Sequence, residues 1–288
     1  MTNPLRTVLF VPGNRPDRIE KALASAADAV IIYLEDAVPI AQKEKVRLPV
    51  REILDKNPSK RTYVRVNGLR TPYCKDDIEA VLSPNLSGIF LPKVESPADS
   101  FEIDRLLNEL KAGDIDLIAI CESAKGVEEI YSTVSAKTTS YRFSTVAFGA
   151  ADYTLDLGIE LTKKGRALDY PRSRIPVACR AAGIAAPLDT PWMIDIQDIN
   201  GLIEDAKKAK AFGFQGKLII HPNHIDVCNE IFSPTEQEIS FAREVIEAFE
   251  EAEREGKAAI SLSDKFIDYP IVEKARRVLS MIDLIKKE

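Results

Sequence analysis

Residues 7–16, Thr-Val-Leu-Phe-Val-Pro-Gly-Asn-Arg-Pro, pose the choice of fold. A short apolar run stopped by Pro12 and Gly13 reads as a strand covered on both faces. A doubly wound open sheet that binds a dinucleotide would follow such a strand with Gly-x-Gly-x-x-Gly, and Pro12-Gly13-Asn14-Arg15-Pro16 does not fit that pattern. The same unit, a short apolar run, then polar or charged residues, then an amphipathic stretch, recurs along the chain. The runs are Thr7–Val11, Ala29–Leu34, Thr62–Val66, Gly88–Leu91, Leu117–Cys121, Thr145–Phe148, Ile184–Leu188 and Leu218–Ile220, eight in all. Their continuous rather than alternating hydrophobicity is what parallel strands sandwiched by helices require. Helical candidates between and after them are Arg15–Ala26, Ala41–Leu54, Lys75–Leu82, Ala98–Lys111, Val127–Ala136, Arg172–Ala182, Asp198–Phe212 and Asn223–Phe232. Eight strand–helix units close naturally into an α/β (β/α)8 TIM barrel. We therefore expect a catalytic barrel over residues 1–232. A C-terminal helical extension over 233–288 should cap its own barrel or complete a neighbouring subunit's site.

Composition narrows the function. With 45% hydrophobic and 29% charged residues in 288, the chain is ordinary globular protein, not a disordered one. A net charge of −6 offers no broad basic surface for a phosphate backbone, so nucleic acid is not expected as a partner. The first apolar run is too short for a signal-peptide core or a membrane span, which points to a cytoplasmic protein. Cys74, Cys121, Cys179 and Cys228 lie far apart, with no Cys/His grouping of zinc spacing, and are expected to be reduced and structural. No Gly-rich phosphate loop, Ser-x-x-Lys or nucleophile elbow appears, which argues against phosphoryl transfer and serine catalysis.

In a barrel of this kind the residues that follow each strand form the active site. Here they include Asn14 and Arg15, Glu35 and Asp36, Arg65 and Asn67, Lys93 and Glu95, Glu122 and Ser123, Asp152, Asp189 and His221. Glu122 and Asp152 close adjacent strands, and two converging carboxylates suit Mg2+, which fills its other positions with water and substrate oxygens. The competing reading is that each merely caps the helix that follows. Glu35 and Asp36 either orient metal-bound water from behind or start the next loop. Arg65, alternating with Val64 and Val66, points inward. There its guanidinium either binds a carboxylate by a two-point fork or forms a structural ion pair with Glu35 or Asp36. Lys93 reads as electrostatic support, since neighbouring carboxylates oppose the depressed pKa of a Schiff-base lysine. His221 and His224 stand three apart, but Pro222 breaks the helix that a metal pair would need, and His221 is expected to be packed and structural.

At these residues the chain resembles the HpcH/HpaI aldolase superfamily, in particular citrate lyase beta subunits and the malyl-CoA and citramalyl-CoA lyases. The carriers span nearly the whole chain: Leu9–Pro16, Leu34–Val38, Val64–Asn67, Leu91–Glu95, Glu122–Val127, Phe148–Asp152, Asp189–Pro191 and Gly216–Pro222. The resemblance implies a barrel, trimeric or a dimer of trimers, that splits a β-hydroxyacyl thioester into a 2-oxo acid (oxaloacetate, glyoxylate or pyruvate) and an acyl thioester. It implies that Glu122 and Asp152 bind Mg2+ and that Arg65 holds the oxo acid. Asp268, in Ser263-Asp264-Lys265-Phe266-Ile267-Asp268-Tyr269-Pro270, matches a C-terminal acid that some members deliver across a subunit interface. Asp264 and Phe266 depart from the usual Gly and Met of that motif, and Tyr33 stands where an aspartate usually precedes Leu-Glu-Asp.

The expected chemistry is Mg2+-dependent carbon–carbon cleavage, with Asp268 exchanging the proton of the thioester enolate and Arg65 and Asp36 at the oxo-acid end. CoA phosphates would meet Arg15, Arg18 and Lys21 unless these are only a solvated helix face. Two alternatives stay open: an aldolase acting on free oxo acids without a thioester, and a lyase subunit that works only with an acyl-carrier protein.

Overall fold

The computed structural model describes residues 4–285, apart from Asn57, Glu255, Lys257, Ala258, Ser263 and Asp264. The Asp264 departure noted above therefore lies outside the described residues. Eight strands, β1 (Thr7–Pro12), β2 (Ala29–Tyr33), β3 (Arg61–Arg65), β4 (Gly88–Leu91), β5 (Asp116–Cys121), β6 (Thr145–Phe148), β7 (Leu188–Asp189) and β8 (Gly216–Ile219), pair in chain order, all parallel. β1 pairs with both β2 and β8, which closes the barrel. Around it run α1 (Pro16–Leu23), α2 (Lys43–Asp55), α3 (Cys74–Val81), α4 (Pro97–Glu109), α5 (Ala124–Val134), α6 (Ala150–Leu157), α7 (Asp169–Ala182), α8 (Ile199–Phe212) and α9 (Ile225–Phe232). Leu5–Asn229 forms one compact unit and the chain from Glu230 onward belongs to a second.

Two-residue alternation along the strands decides which side chains meet. Val8, Ala29, Ile31, Tyr63, Phe90, Ile118, Ile120, Ala147, Leu188 and Leu218 fill the barrel interior. Two residues further along these rows, at the C-terminal mouth, come Phe10, Tyr33, Arg65 and Glu122. The functional side chains are the ends of rows whose beginnings are the apolar core.

The second unit holds α10 (Glu236–Arg254), a short antiparallel pair β9 (Ile260–Leu262) and β10 (Lys265–Ile267), and α11 (Tyr269–Ile285). Ala242, Val245, Phe249, Ile267, Val272 and Ala275 form its own core. Among the described residues no helix is long and apolar enough to cross a membrane.

Three elements differ from expectation. The seventh strand covers only Leu188–Asp189, because the start of the apolar run at Ile184 is spent closing α7. Gly183 turns left-handed (φ 71°) and the Ile184 N–H donates to the Cys179 carbonyl at 3.1 Å. The eight-residue α6 after β6 is additional, and two short antiparallel strands interrupt the C-terminal extension expected to be helical.

Asp189, expected at the mouth, belongs to the opposite row and faces the helices. It accepts from Arg172 Nε (3.0 Å) and Nη2 (2.9 Å) and from Lys217 Nζ (2.5 Å), while Asp205 on α8 accepts from both cations as well. Arg172, Asp189 and Lys217 are fully buried. A buried charge without its partner is expensive, about 3–5 kcal/mol. Asp189→Ala should therefore destabilise the barrel by about that amount in urea unfolding; a loss below about 1 kcal/mol, the level of a surface pair, would show the quartet to be dispensable.

Candidate active site

The inward rows deliver two carboxylates, Glu35 and Glu122, onto one guanidinium, and α6 adds Asp152 near Glu122. Arg65, 8% exposed, places Nη2 2.5 Å from Glu35 Oε2 and 3.1 Å from Glu122 Oε1. Its Nε is buried and has no hydrogen-bond partner. Glu122, 3% exposed, also accepts the Lys93 backbone N–H at 3.0 Å. That bond requires an unusual backbone, since Lys93 sits left-handed at φ 56°, a conformation a non-glycine residue adopts only where its surroundings hold it. The Lys93 ammonium lies 3.6 Å from Glu35 Oε1, as electrostatic support. Ser123, not Glu122, caps α5, accepting from the Gly126 N–H at 3.0 Å, so the helix-cap reading fails for Glu122. Asp152 is half-buried in the first turn of α6, close enough for its charge to act on Glu122. Gly149 permits this approach: a Cβ there would stand 2.7 Å from Glu122 Cβ and Oε2.

Burial and the nearby Asp152 and Glu35 push the Glu122 carboxyl up to about 8 against the pull of Arg65. Burial raises Glu35 too, again opposed by Arg65. With all three ionised, Glu35, Glu122 and Asp152 would outnumber Arg65 and Lys93; the proton that Glu122 keeps below about 8 relieves this excess, and a divalent cation in its place would do the same. Among the described residues no group of three or more His, Cys, Asp or Glu is arranged to cage a metal alone. Two carboxylates with open positions fit Mg2+, which keeps water and substrate oxygens in its shell.

A network missed from sequence holds this cluster. Lys43, buried at the start of α2, donates to the carbonyls of Leu34 (3.2 Å) and Glu35 (2.9 Å) and to Asn67 Oδ1 (2.6 Å). Asn67 in turn donates to Asp77 (2.5 Å), which pairs with Arg47 (2.8 Å). The ammonium thus bolts the ends of β2 and β3 together, just where Glu35 and Arg65 leave the barrel. The signal was present: Lys43 shares a 3–4 spacing with Val46, Val50 and Leu54, the buried face of α2.

A cavity of about 880 Å³ opens beside the cluster, lined by β1, α1, Tyr33, Ala37 and the segment Ile220–Pro222. Arg15, Arg18 and Lys21 line it and are exposed. His221 also borders it and accepts from the Asn223 N–H at 3.3 Å, while the packed histidine is His224. Asp36 is exposed at the mouth next to Glu35. Asp268 lies in the C-terminal unit, where its Oδ1 accepts from the Ile271 N–H at the start of α11. The four cysteines are free and buried.

Residues 6–222 match the family described as HpcH/HpaI aldolase/citrate lyase. The chain belongs to this family. It is 37% identical over 284 residues to the citrate lyase subunit beta of Leuconostoc mesenteroides subsp. cremoris, covering 96% of this chain and 92% of the relative. It is 32% identical over 301 residues to the human mitochondrial citramalyl-CoA lyase, covering 99% of this chain and 87% of that one. The crystal structure of CitE from Mycobacterium tuberculosis in complex with magnesium, acetoacetate and coenzyme A superposes with a TM-score of 0.77 at 31% identity over 97% of each chain.

Two outcomes follow for this HpcH/HpaI-family site. Lys43→Met leaves Asn67 Oδ1 without its donor and takes one bond from each of the Leu34 and Glu35 carbonyls, which keep the Asn67 Nδ2 and Val38 N–H donors; it should cost about 2–3 kcal/mol in urea unfolding, and an unchanged midpoint would refute the bolt. Because the Glu122 value of about 8 lies above the ordinary carboxylate value of about 4.3, its stabilising contribution is full at low pH and fades as pH rises through about 8. A cation held by Glu122 would have to displace the same proton, and the rise in Tm produced by Mg2+ would then be small near pH 6 and grow to a plateau above about pH 8. A pH-independent increment would contradict the shared proton.

Proposed function

We propose that this family member is a cytoplasmic, Mg2+-dependent carbon–carbon lyase that splits a β-hydroxyacyl thioester into a 2-oxo acid and an acyl thioester, or joins them. The observation that carries the reading is the buried Arg65, with Nη2 held by Glu35 and Glu122 and its Nε left without a partner among three carboxylates. Such a guanidinium has a donor in reserve for a ligand carboxylate. Glu122 and Asp152 would hold Mg2+. Bound there, the ion supplies Lewis acidity at the substrate's hydroxyl and carboxylate.

Arg65 holds the carboxylate of the oxo-acid half and faces the charge that develops on its oxygen. Glu35, fixed by Arg65, Lys93 and the Lys43 bolt, orients water around the mouth, and Asp36, the exposed neighbour, takes the hydroxyl proton. As the carbinol oxygen becomes a carbonyl, the bond to the carbon next to the thioester breaks and its electron pair goes to the thioester enolate. Asp268 gives that carbon a proton, supplied from a second copy of the chain in a homotrimer or dimer of trimers. Arg15, Arg18 and Lys21 meet the phosphates of a CoA thioester at the cavity.

The likeness to a citrate lyase subunit favours one second reading, a chain that works only on thioesters of an acyl-carrier protein.

The test is cleavage of malyl-, citramalyl- and citryl-CoA with detection of the released oxo acid. Turnover should vanish with EDTA, return with Mg2+, and fall at least about a hundredfold in Glu122→Gln and Asp152→Asn with the fold intact. Near-wild-type turnover in either variant would overturn the metal assignment. Turnover confined to carrier-protein thioesters would select the second reading.

A further inference from the structure

Tyr33 ends the inward row Ala29, Ile31, Tyr33 of β2 and has had no role so far. Its ring centroid lies 5.0 Å from Arg65 Cζ, and its ring packs edge-on to Phe10 at 5.7 Å. Its hydroxyl is 3.5 Å from Glu35 Oε2, and it lines the large cavity. The Arg65 guanidinium is thus covered by a ring and held at Nη2 by two carboxylates, while its buried Nε has no partner.

Tyr33, whose ring covers the guanidinium, lines the cavity together with Phe10, Pro12 and Ala37, so the wall on this side is largely hydrocarbon. Arg65 and the metal proposed above both serve the carboxylate next to the oxo group, so a second carboxylate on the same small molecule would need a further cation, and the candidates are engaged or belong to α1. Lys93 is 3.6 Å from Glu35, and Arg15, on the cavity with Arg18 and Lys21, is 2.9 Å from Asp17. An unpaired carboxylate against aromatic rings loses its hydration without compensation, and Glu35 nearby adds repulsion.

We propose that Tyr33 is a specificity-determining residue. Its ring, with Phe10, shapes the space beside Arg65 for a 2-oxo acid with one carboxylate and a hydrogen or small alkyl substituent, the class of glyoxylate and pyruvate. It rejects those with a second carboxylate, the class of oxaloacetate. The inference rests on Arg65 being the seat of the oxo acid, as proposed above.

Calorimetric titration of the Mg2+-loaded protein with pyruvate and with fresh oxaloacetate reads the preference directly. Wild type should bind pyruvate at least about tenfold tighter. Tyr33→Phe should keep that ratio, because the ring and not the hydroxyl sets it, and Tyr33→Ala should bring the two ligands within about threefold of each other. Equal or tighter oxaloacetate binding by wild type, or an unchanged ratio in Tyr33→Ala, overturns the proposal. Thioester cleavage run in parallel separates the two levels: citryl-CoA cleaved as fast as citramalyl-CoA keeps the lyase and removes the role of Tyr33. Absence of both oxo-acid binding and cleavage removes both, as does pyruvate binding that is unchanged in Arg65→Met.

Discussion

Negative charge gathered where water is scarce is the constraint around which the mouth of this barrel is built. Glu35 and Glu122 are almost completely buried, and the charge of Asp152 acts on Glu122, yet a carboxylate out of water is tolerated only when paired or protonated. One guanidinium meets this demand from the inside, since Arg65 touches both buried carboxylates. Lys93 adds a backbone N–H and a nearby ammonium, at the cost of a left-handed backbone. The remaining excess is what makes a divalent cation a natural occupant. A structural ion pair and a substrate seat are therefore not competing accounts of Arg65: pairing holds the guanidinium in place, and its unpaired nitrogen is what a ligand would find.

The cluster also depends on parts that never reach the cavity. Three acceptors on the Lys43 ammonium set where β2 and β3 stop, and the absence of a side chain at Gly149 lets β6 lie against Glu122. Elsewhere in the barrel the Arg172, Asp189, Asp205 and Lys217 quartet joins β7 and β8 to α7 and α8 with no part in the mouth. Motif residues of one family thus divide between the two faces of the same strands, Arg65 and Glu122 inward and Asp189 and Lys217 outward.

That division explains what the sequence could and could not tell. Eight continuous apolar runs suffice for a barrel, because burial on both faces leaves its mark in composition. Arg65 was legible as inward from its alternation with Val64 and Val66. Asp189 misled, because its strand has only two residues and shows no alternation to count. Lys43 stands in the charged run Lys43-Glu44-Lys45, and only its spacing from Val46, Val50 and Leu54 sets it apart from its neighbours. The left-handed Lys93 had no local signal: its conformation is imposed by a partner, Glu122, that lies 29 positions away.

The way the rows run has a consequence for how such a chain can change. Arg65 and Glu122 meet because each sits an even number of steps from a core residue of its own strand, Tyr63 for one and Ile118 and Ile120 for the other. Replacing a mouth residue leaves that parity intact, and the variation at Tyr33 is of this kind. Removing or adding one residue within β3 or β5 reverses it, sending the charge outward into the helices and bringing an outward residue into the barrel. The scaffold therefore tolerates new letters at the mouth while its strands are, in effect, read in a fixed frame, and loops rather than strands are where its length is free to drift.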